Sequence, residues 1–393
     1  MVRKASPWLR SLLRAAKIQQ RTSARAVKTL LALSKPAAPK KTRVRKAPAK
    51  TSVLLAPRVG PAAGMTPSSL AKPSRLRATR PTPHLDPPGR WLSSHFTAPG
   101  KHGVLRSMLY WVYVPSLPPQ PQGMPLVVML HGCDQNAISF AQGTRMNELA
   151  ERKGFAVVYP QQSVASHPHA CWKWYDRATQ LGGGDVGHIV GIVNSVAATH
   201  PIDRSRIYIC GLSAGGAMAH IVALNHPGLI AGVGIHSSPL FGAARGAVGA
   251  IKVMRHGDAA RAGMAIAELF ARQPDFPGMP TILIHGEADG VVRPINQSQL
   301  ELQSLQLNRV PDGTPVEISV KARTTRSNAY QLRDIRLKRN VLLRVVRIAE
   351  LKHAWSGGND GIAFNSGFGP DSSQILIDFF ARHRRGDAAA IPG

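Results

Sequence analysis

Gly211-Leu212-Ser213-Ala214-Gly215 places a serine between two glycines, each two residues away. A serine hydroxyl is a poor nucleophile at neutral pH. It attacks a carbonyl when a base takes its proton and a carboxylate holds that base in the right tautomer. The pentapeptide follows the apolar run Arg206 to Cys210 and opens a helical pattern, AGGAMAHIVALN. A sharp strand-to-helix turn is the setting that holds such a serine strained at the edge of a sheet, with small neighbours that avoid a clash.

The partners of a nucleophile in this setting follow it in the chain, acid first and then base, on loops after later strands. Thr281 to Ile284 is apolar and ends in His285-Gly286-Glu287-Ala288-Asp289-Gly290, so Asp289 lies just beyond a strand end and is the expected acid. Glu287 competes, but it sits nearer the strand and its longer side chain overshoots. Of fifteen histidines, His353 is the best placed base, since it follows the apolar strand Val341 to Leu351 and begins the loop HAWSGGNDG. His236 and His285 also end strands, yet they precede or adjoin the acid and are expected to line the site or bond locally. An oxyanion needs N–H donors aimed at the developing charge. Ala214, directly after the nucleophile, supplies one from its backbone. The turn Leu130-His131-Gly132-Cys133 supplies the other, assigned to Cys133 on position alone.

These residues need a rigid frame. After about Leu92, short apolar runs alternate with helical patterns, the signature of parallel strands joined by crossover helices. Strands are expected at 104–114, 126–130, 155–159, 206–210, 232–235 and 281–284, with a further strand or hairpin over 330–351. Helices are expected near 143–153, 186–199, 214–225, 261–271, 296–307 and 372–382. Together they form a mostly parallel sheet with helices on both faces, over about 92–384, with a tail from 385 to 393.

Residues 1 to 91 differ in kind. The first hundred residues hold 21 Lys and Arg against one acid, Asp86, and 13 of the 31 prolines, out of a total formal charge of +29. Such a segment has too few large apolar side chains to offset the entropy of ordering. Ser6-Pro7 reads as a helix start, and Arg10, Arg14, Lys17, Arg21, Arg25 and Lys28 follow on one helical face, a basic amphipathic pattern within about 7–33. KPAAPKKTRVRKAPAK continues it as a low-complexity linker. An anionic surface (granule coat, membrane or nucleic acid) is the partner class this arm fits, and a polyanion-binding protein is the reading from another class. No run approaches the roughly 20 apolar residues of a transmembrane helix, and the basic residues interrupt every window for a Sec-type signal. Three cysteines, with no CxxC or HExxH spacing, predict no structural metal site and no disulfide-dense scaffold.

LHGCDQNA, GFAVVYPQQ, ACWKWY, DRSRIYICGLSAGGAMA, HGEADGVV and HAWSGG, in that order, resemble the short-chain-length polyhydroxyalkanoate (poly-3-hydroxybutyrate) depolymerase family and its relatives, the feruloyl and acetylxylan esterases. The resemblance spans roughly Ser107 to Arg382. It implies an α/β-hydrolase fold, no cofactor, an extracellular setting, and Ser213, Asp289 and His353 as a triad that hydrolyses an ester through an acyl-serine intermediate. The polyester or its oligomers are the expected substrate, and carbohydrate-linked feruloyl or acetyl esters the alternative. The unreadable signal sets a granule-associated cytoplasmic location against the extracellular one. The absence of a polymer-binding domain after Arg382 favours amorphous polymer, oligomers or small esters. His131, Trp172, Trp174 and Trp355 are expected to line the ester cleft, with ordinary packing under a long loop as the alternative for Trp172 and Trp174. Cys133 and Cys171 share that edge, where a disulfide would form in an oxidising compartment. The family motif favours proline at Ser356, a change expected to alter loop stiffness and leave the chemistry alone.

Overall fold

The computed structural model describes residues 87–99, 104–337 and 340–386. The chain divides into Met1–Leu85 and Asp86–Gly393, and the description concerns the second unit; the basic helical face from Arg10 to Lys28 lies outside the described residues. Among these, no helix is long and apolar enough to cross a membrane.

Ten strands form one sheet in the order β1-β2-β4-β3-β5-β6-β7-β10-β9-β8. The central six are parallel: β4 (Ala156–Pro160), β3 (Met124–Leu130), β5 (Ile202–Leu212), β6 (Gly232–His236), β7 (Thr281–Gly286) and β10 (Asn340–Ile348). Their sequences, such as MPLVVML and TILIHG, are almost wholly buried, because helices cover both faces of a parallel sheet and leave no wet side. Antiparallel pairs finish both ends: β1 (Arg90–Pro99) with β2 (Leu105–Val114), and β10 with β9 (Tyr330–Leu337) and then β8 (Val316–Lys321). The anticipated feature over 330–351 is therefore a hairpin. Its strands are tied by the buried fork of Arg344 Nε and Nη2 on the two carboxylate oxygens of Asp334, both at 2.7 Å.

The helices 186–199 and 214–225 lie where the apolar periodicity puts them, as α4 (Val186–Thr199) and α5 (Ala214–Asn225), after α1 (Ala137–Thr144), α2 (Met146–Lys153) and α3 (Arg177–Gln180). The single helix expected over 143–153 is two, broken at Arg145, whose φ of 54° ends α1 and starts α2. The break lets Phe140 and Ala141 on one helix and Met146, Leu149 and Ala150 on the other reach the same core. β1 was not anticipated and starts two residues before Leu92. Its Ser-Ser-His centre carries little apolar signal, and it is held by pairing with β2 and by Trp91 stacked on Trp111, 5.4 Å between ring centroids. α6 (Gly246–His256) also lacked a sequence signal, since its glycines weaken helix propensity. α7 (Ala259–Arg272), α8 (Ile295–Leu307) and α9 (Ser372–Phe380) complete the layers.

Candidate active site

Ser213 follows the last residue of β5 with φ 58° and ψ −121°, a backbone conformation that an L-residue adopts only when its surroundings impose it. Two glycines permit it. A side chain on Gly211 would collide with the backbone of Gly215 and Leu130, and one on Gly215 with the carbonyls of Leu130 and His131. The first turn of α5 is thus pressed against the end of β3. Ser213 N–H donates to His236 O at 2.9 Å, which fixes the turn to β6 as well.

Asp289 lies three residues past β7 and His353 five past β10, so all three residues stand at the C-terminal ends of parallel strands, where ligands bind in open α/β sheets. His353 Nδ1 is 2.7 Å from Asp289 Oδ2, and the Asp289 side chain has no solvent exposure. Its other oxygen accepts the N–H groups of Val291 and Val292 at 2.9 and 3.0 Å. His285 Nε2 donates to Val292 O at 2.8 Å and lies 3.4 Å from Oδ2. Burial pushes the Asp289 carboxyl up, but His353 and His285 beside it outweigh that and hold it well below the usual carboxylate range. It is therefore an anion that keeps the His353 proton on Nδ1 and leaves Nε2 as the basic nitrogen. Glu287, the competing acid, is exposed and is not the partner of His353.

The loop carrying His353 is pinned from below. Trp355 and Ser356 form β11, which pairs with β12 (Asn365–Ser366). The Trp355 ring is fully buried, stacks on His236 at 4.9 Å, and donates from Nε1 to Ser373 Oγ at 3.1 Å. Ser356, where proline was favoured, donates to Phe368 O at 3.2 Å.

On the opposite side, a Cβ on Gly132 would stand 3.6 Å from Ser213 Cβ, which places the turn after β3 beside the serine. Gly132 N–H is taken by Gln135 Oε1 at 2.8 Å and Asp134 N–H by His169 O at 2.7 Å, with Cys133 between them. Cys133 and Cys171 form a disulfide, which ties this turn to the loop after β4; Cys210 is a buried free thiol.

His131, Trp172, Trp174 and Trp355, expected to line the cleft, are buried, at 0, 0, 4 and 0 % exposure. His131 donates from Nδ1 to Gly132 O at 2.8 Å and accepts Gln162 N–H on Nε2 at 3.1 Å; burial pushes its pKa down to about 4. Trp172 Nε1 donates to His131 O at 2.9 Å. These side chains shape the turn after β3 from inside, because large rings recover more free energy in the core than at a wet edge. A cavity of about 440 Å³ is lined by Lys352 and Ala354, the chain neighbours of His353, and by Asn328, Glu350, Asp360 and Phe368; Ser213, Asp289 and His353 are not among its lining residues. These residues had no sequence signal, since polar loop residues look alike until the loop is folded.

A strained serine after a buried strand, a carboxylate–histidine pair after two others, and backbone donors at a helix N-terminus define a protein of the α/β-hydrolase class. Within it, the family model described as Esterase PHB depolymerase matches residues 108–329, and the chain belongs to that family. It is 32% identical over 207 residues to poly(3-hydroxyalkanoate) depolymerase C of Paucimonas lemoignei, covering 50% of this chain and 47% of that protein. It is 32% identical over 178 residues to feruloyl esterase B of Neurospora crassa, covering 43% and 60%. The chain thus spans about half the length of the curated relatives it matches. The fold is similar to that of an acetyl xylan esterase from Aspergillus awamori, with a TM-score of 0.58 and 18% identity over 74% of this chain and 99% of that one.

Proposed function

We propose that the chain is a serine esterase that cleaves poly(3-hydroxybutyrate) or its oligomers through an acyl-serine intermediate. The observation that carries this reading is the Asp289–His353 hydrogen bond of 2.7 Å at the same sheet edge as the strained Ser213 turn. In the reading, Ser213 Oγ attacks the ester carbonyl while His353 Nε2 takes its proton. The N–H groups of Ala214 and Cys133 hold the oxyanion; the former opens α5, where the helix leaves its first donors unpaired and its dipole favours negative charge. His353 returns the proton to the leaving alcohol, and water then repeats the sequence on the acyl-enzyme. Disulfide formation fits an oxidising, extracytoplasmic setting, and the basic arm fits attachment to an anionic surface.

A carbohydrate esterase is the second reading, favoured by the relatives named as feruloyl and acetylxylan esterases. Amorphous polyhydroxybutyrate, p-nitrophenyl esters of graded length, feruloyl esters and acetylated xylan, assayed side by side, separate the two. Ser213→Ala abolishes hydrolysis and labelling by a serine-directed phosphonate. Labelling that persists at another serine refutes the mechanism.

A further inference from the structure

β8 is the last strand of the sheet, and among the described residues no strand pairs with its outer edge. Such edges are templates for another strand, and proteins usually blunt them with charge, proline or a bulge. β8 carries the charges Glu317 and Lys321 on one face and, on the other, Val316, Ile318 and Val320 at 40, 55 and 69 % exposure. Three branched apolar side chains left in water at alternate positions of an open edge call for a cover.

The sequence of the strand says what the cover is. In an antiparallel pair, directly opposed residues point to the same face, so a strand meeting a second copy of itself keeps apolar against apolar whenever the two-fold axis passes through a residue. Only one such axis also matches the charges. Centred on Ser319, the register sets Ile318 against Val320 of the second copy, and Glu317 against Lys321 of the second copy, twice by symmetry. Centred on Ile318, it sets Glu317 against serine and loses both charge pairs. Glu317 Oε2 accepts from Arg336 at 3.0 Å on the same sheet, and Lys321 has no acidic partner among the described residues.

We infer that β8 is a self-association edge, through which two copies of this chain join antiparallel into one continuous sheet. The strand is six residues long, so the contact is smaller than the ~1,600 Å² of a standard stable interface, and the dimer is a weak, concentration-dependent one. It leaves the catalytic edge unobstructed, since β8 lies two strands beyond the β10 that carries His353.

Sedimentation velocity of the full chain, from micromolar to near-millimolar, reads the association. The expected result is a reversible shift from the 42.2 kDa monomer toward twice that mass. Ile318→Lys puts two like charges on the buried face and abolishes the shift. Glu317→Lys turns two attractions into repulsions and weakens dimerisation about tenfold; Glu317→Lys with Lys321→Glu restores it. Circular dichroism and hydrolysis of a soluble ester check that each variant is folded. A monomer at every concentration overturns the inference, as does a dimer indifferent to Ile318→Lys. So does a β8 protected from amide exchange in a monomer, which would give the edge to another part of the same chain.

Discussion

Asp289→Asn tests the site through a single proton. Asp289 Oδ1 accepts two backbone N–H groups, from Val291 and Val292, while Oδ2 faces His353 Nδ1 at 2.7 Å. An asparagine must keep its carbonyl oxygen toward the two backbone donors, because the flipped amide would set NH₂ against both. Its NH₂ therefore points at His353 Nδ1, which must accept, and the ring proton moves to Nε2. Now the nitrogen that should take the serine proton carries one already. The variant also loses the anion that stabilises the imidazolium. The wrong tautomer in a triad of this type costs about 10⁴-fold in kcat, roughly 5.5 kcal/mol in the barrier. The shape and both backbone bonds are retained, so Tm and KM change little. Initial rates on p-nitrophenyl butyrate with a parallel thermal melt measure this. A kcat within tenfold of the parent refutes the role of Asp289, and lost activity with a collapsed Tm refutes the claim that orientation alone is affected.

Other outcomes follow from groups around the site. His131, His220 and His236 are buried, with pKa values lowered by desolvation to about 4, about 3 and about 3. The folded state keeps them neutral, whereas the unfolded chain takes up protons below the ordinary histidine pKa of ~6.5. Their contribution is therefore intact above that pH and lost as pH falls toward 4. The loss amounts to about 2 kcal/mol each at pH 5, and urea unfolding at pH 7 and pH 5 checks it; equal midpoints contradict it. Replacing Cys133 and Cys171 together with serine lowers stability by roughly 2 to 4 kcal/mol and, by loosening the oxyanion turn, reduces kcat more than it raises KM. Deleting residues 1–85 leaves turnover of a soluble ester within about twofold, ~0.4 kcal/mol in the barrier, and removes low-salt retention on an anionic matrix; a tenfold loss places the arm in the catalytic unit.

The sequence by itself determined the central sheet and the order in which Ser213, Asp289 and His353 follow its strands. MPLVVML, Ile207 to Leu212 and TILIHG are apolar throughout because both faces of a parallel strand are buried, and that constraint is local enough to read from one chain. Gly211 and Gly215 mark the serine turn because no side chain fits against the carbonyls at the end of β3. Asp289 and His353 were legible because a strand end followed by a short loop leaves few positions for them. Tertiary structure alone decided which way the large side chains face. His131, Trp172 and Trp355 stand in the same motifs as the reactive groups, and sequence adjacency cannot tell a ring that lines a cleft from one that supports it; that choice depends on packing with Gln162, His236 and Ser373, far away in the chain. The edge strand β1 was hidden for a related reason: an exposed strand is held by backbone pairing, which its Ser-Ser-His centre permits and does not announce, whereas β8 carries a period-two signal in Val316, Ile318 and Val320.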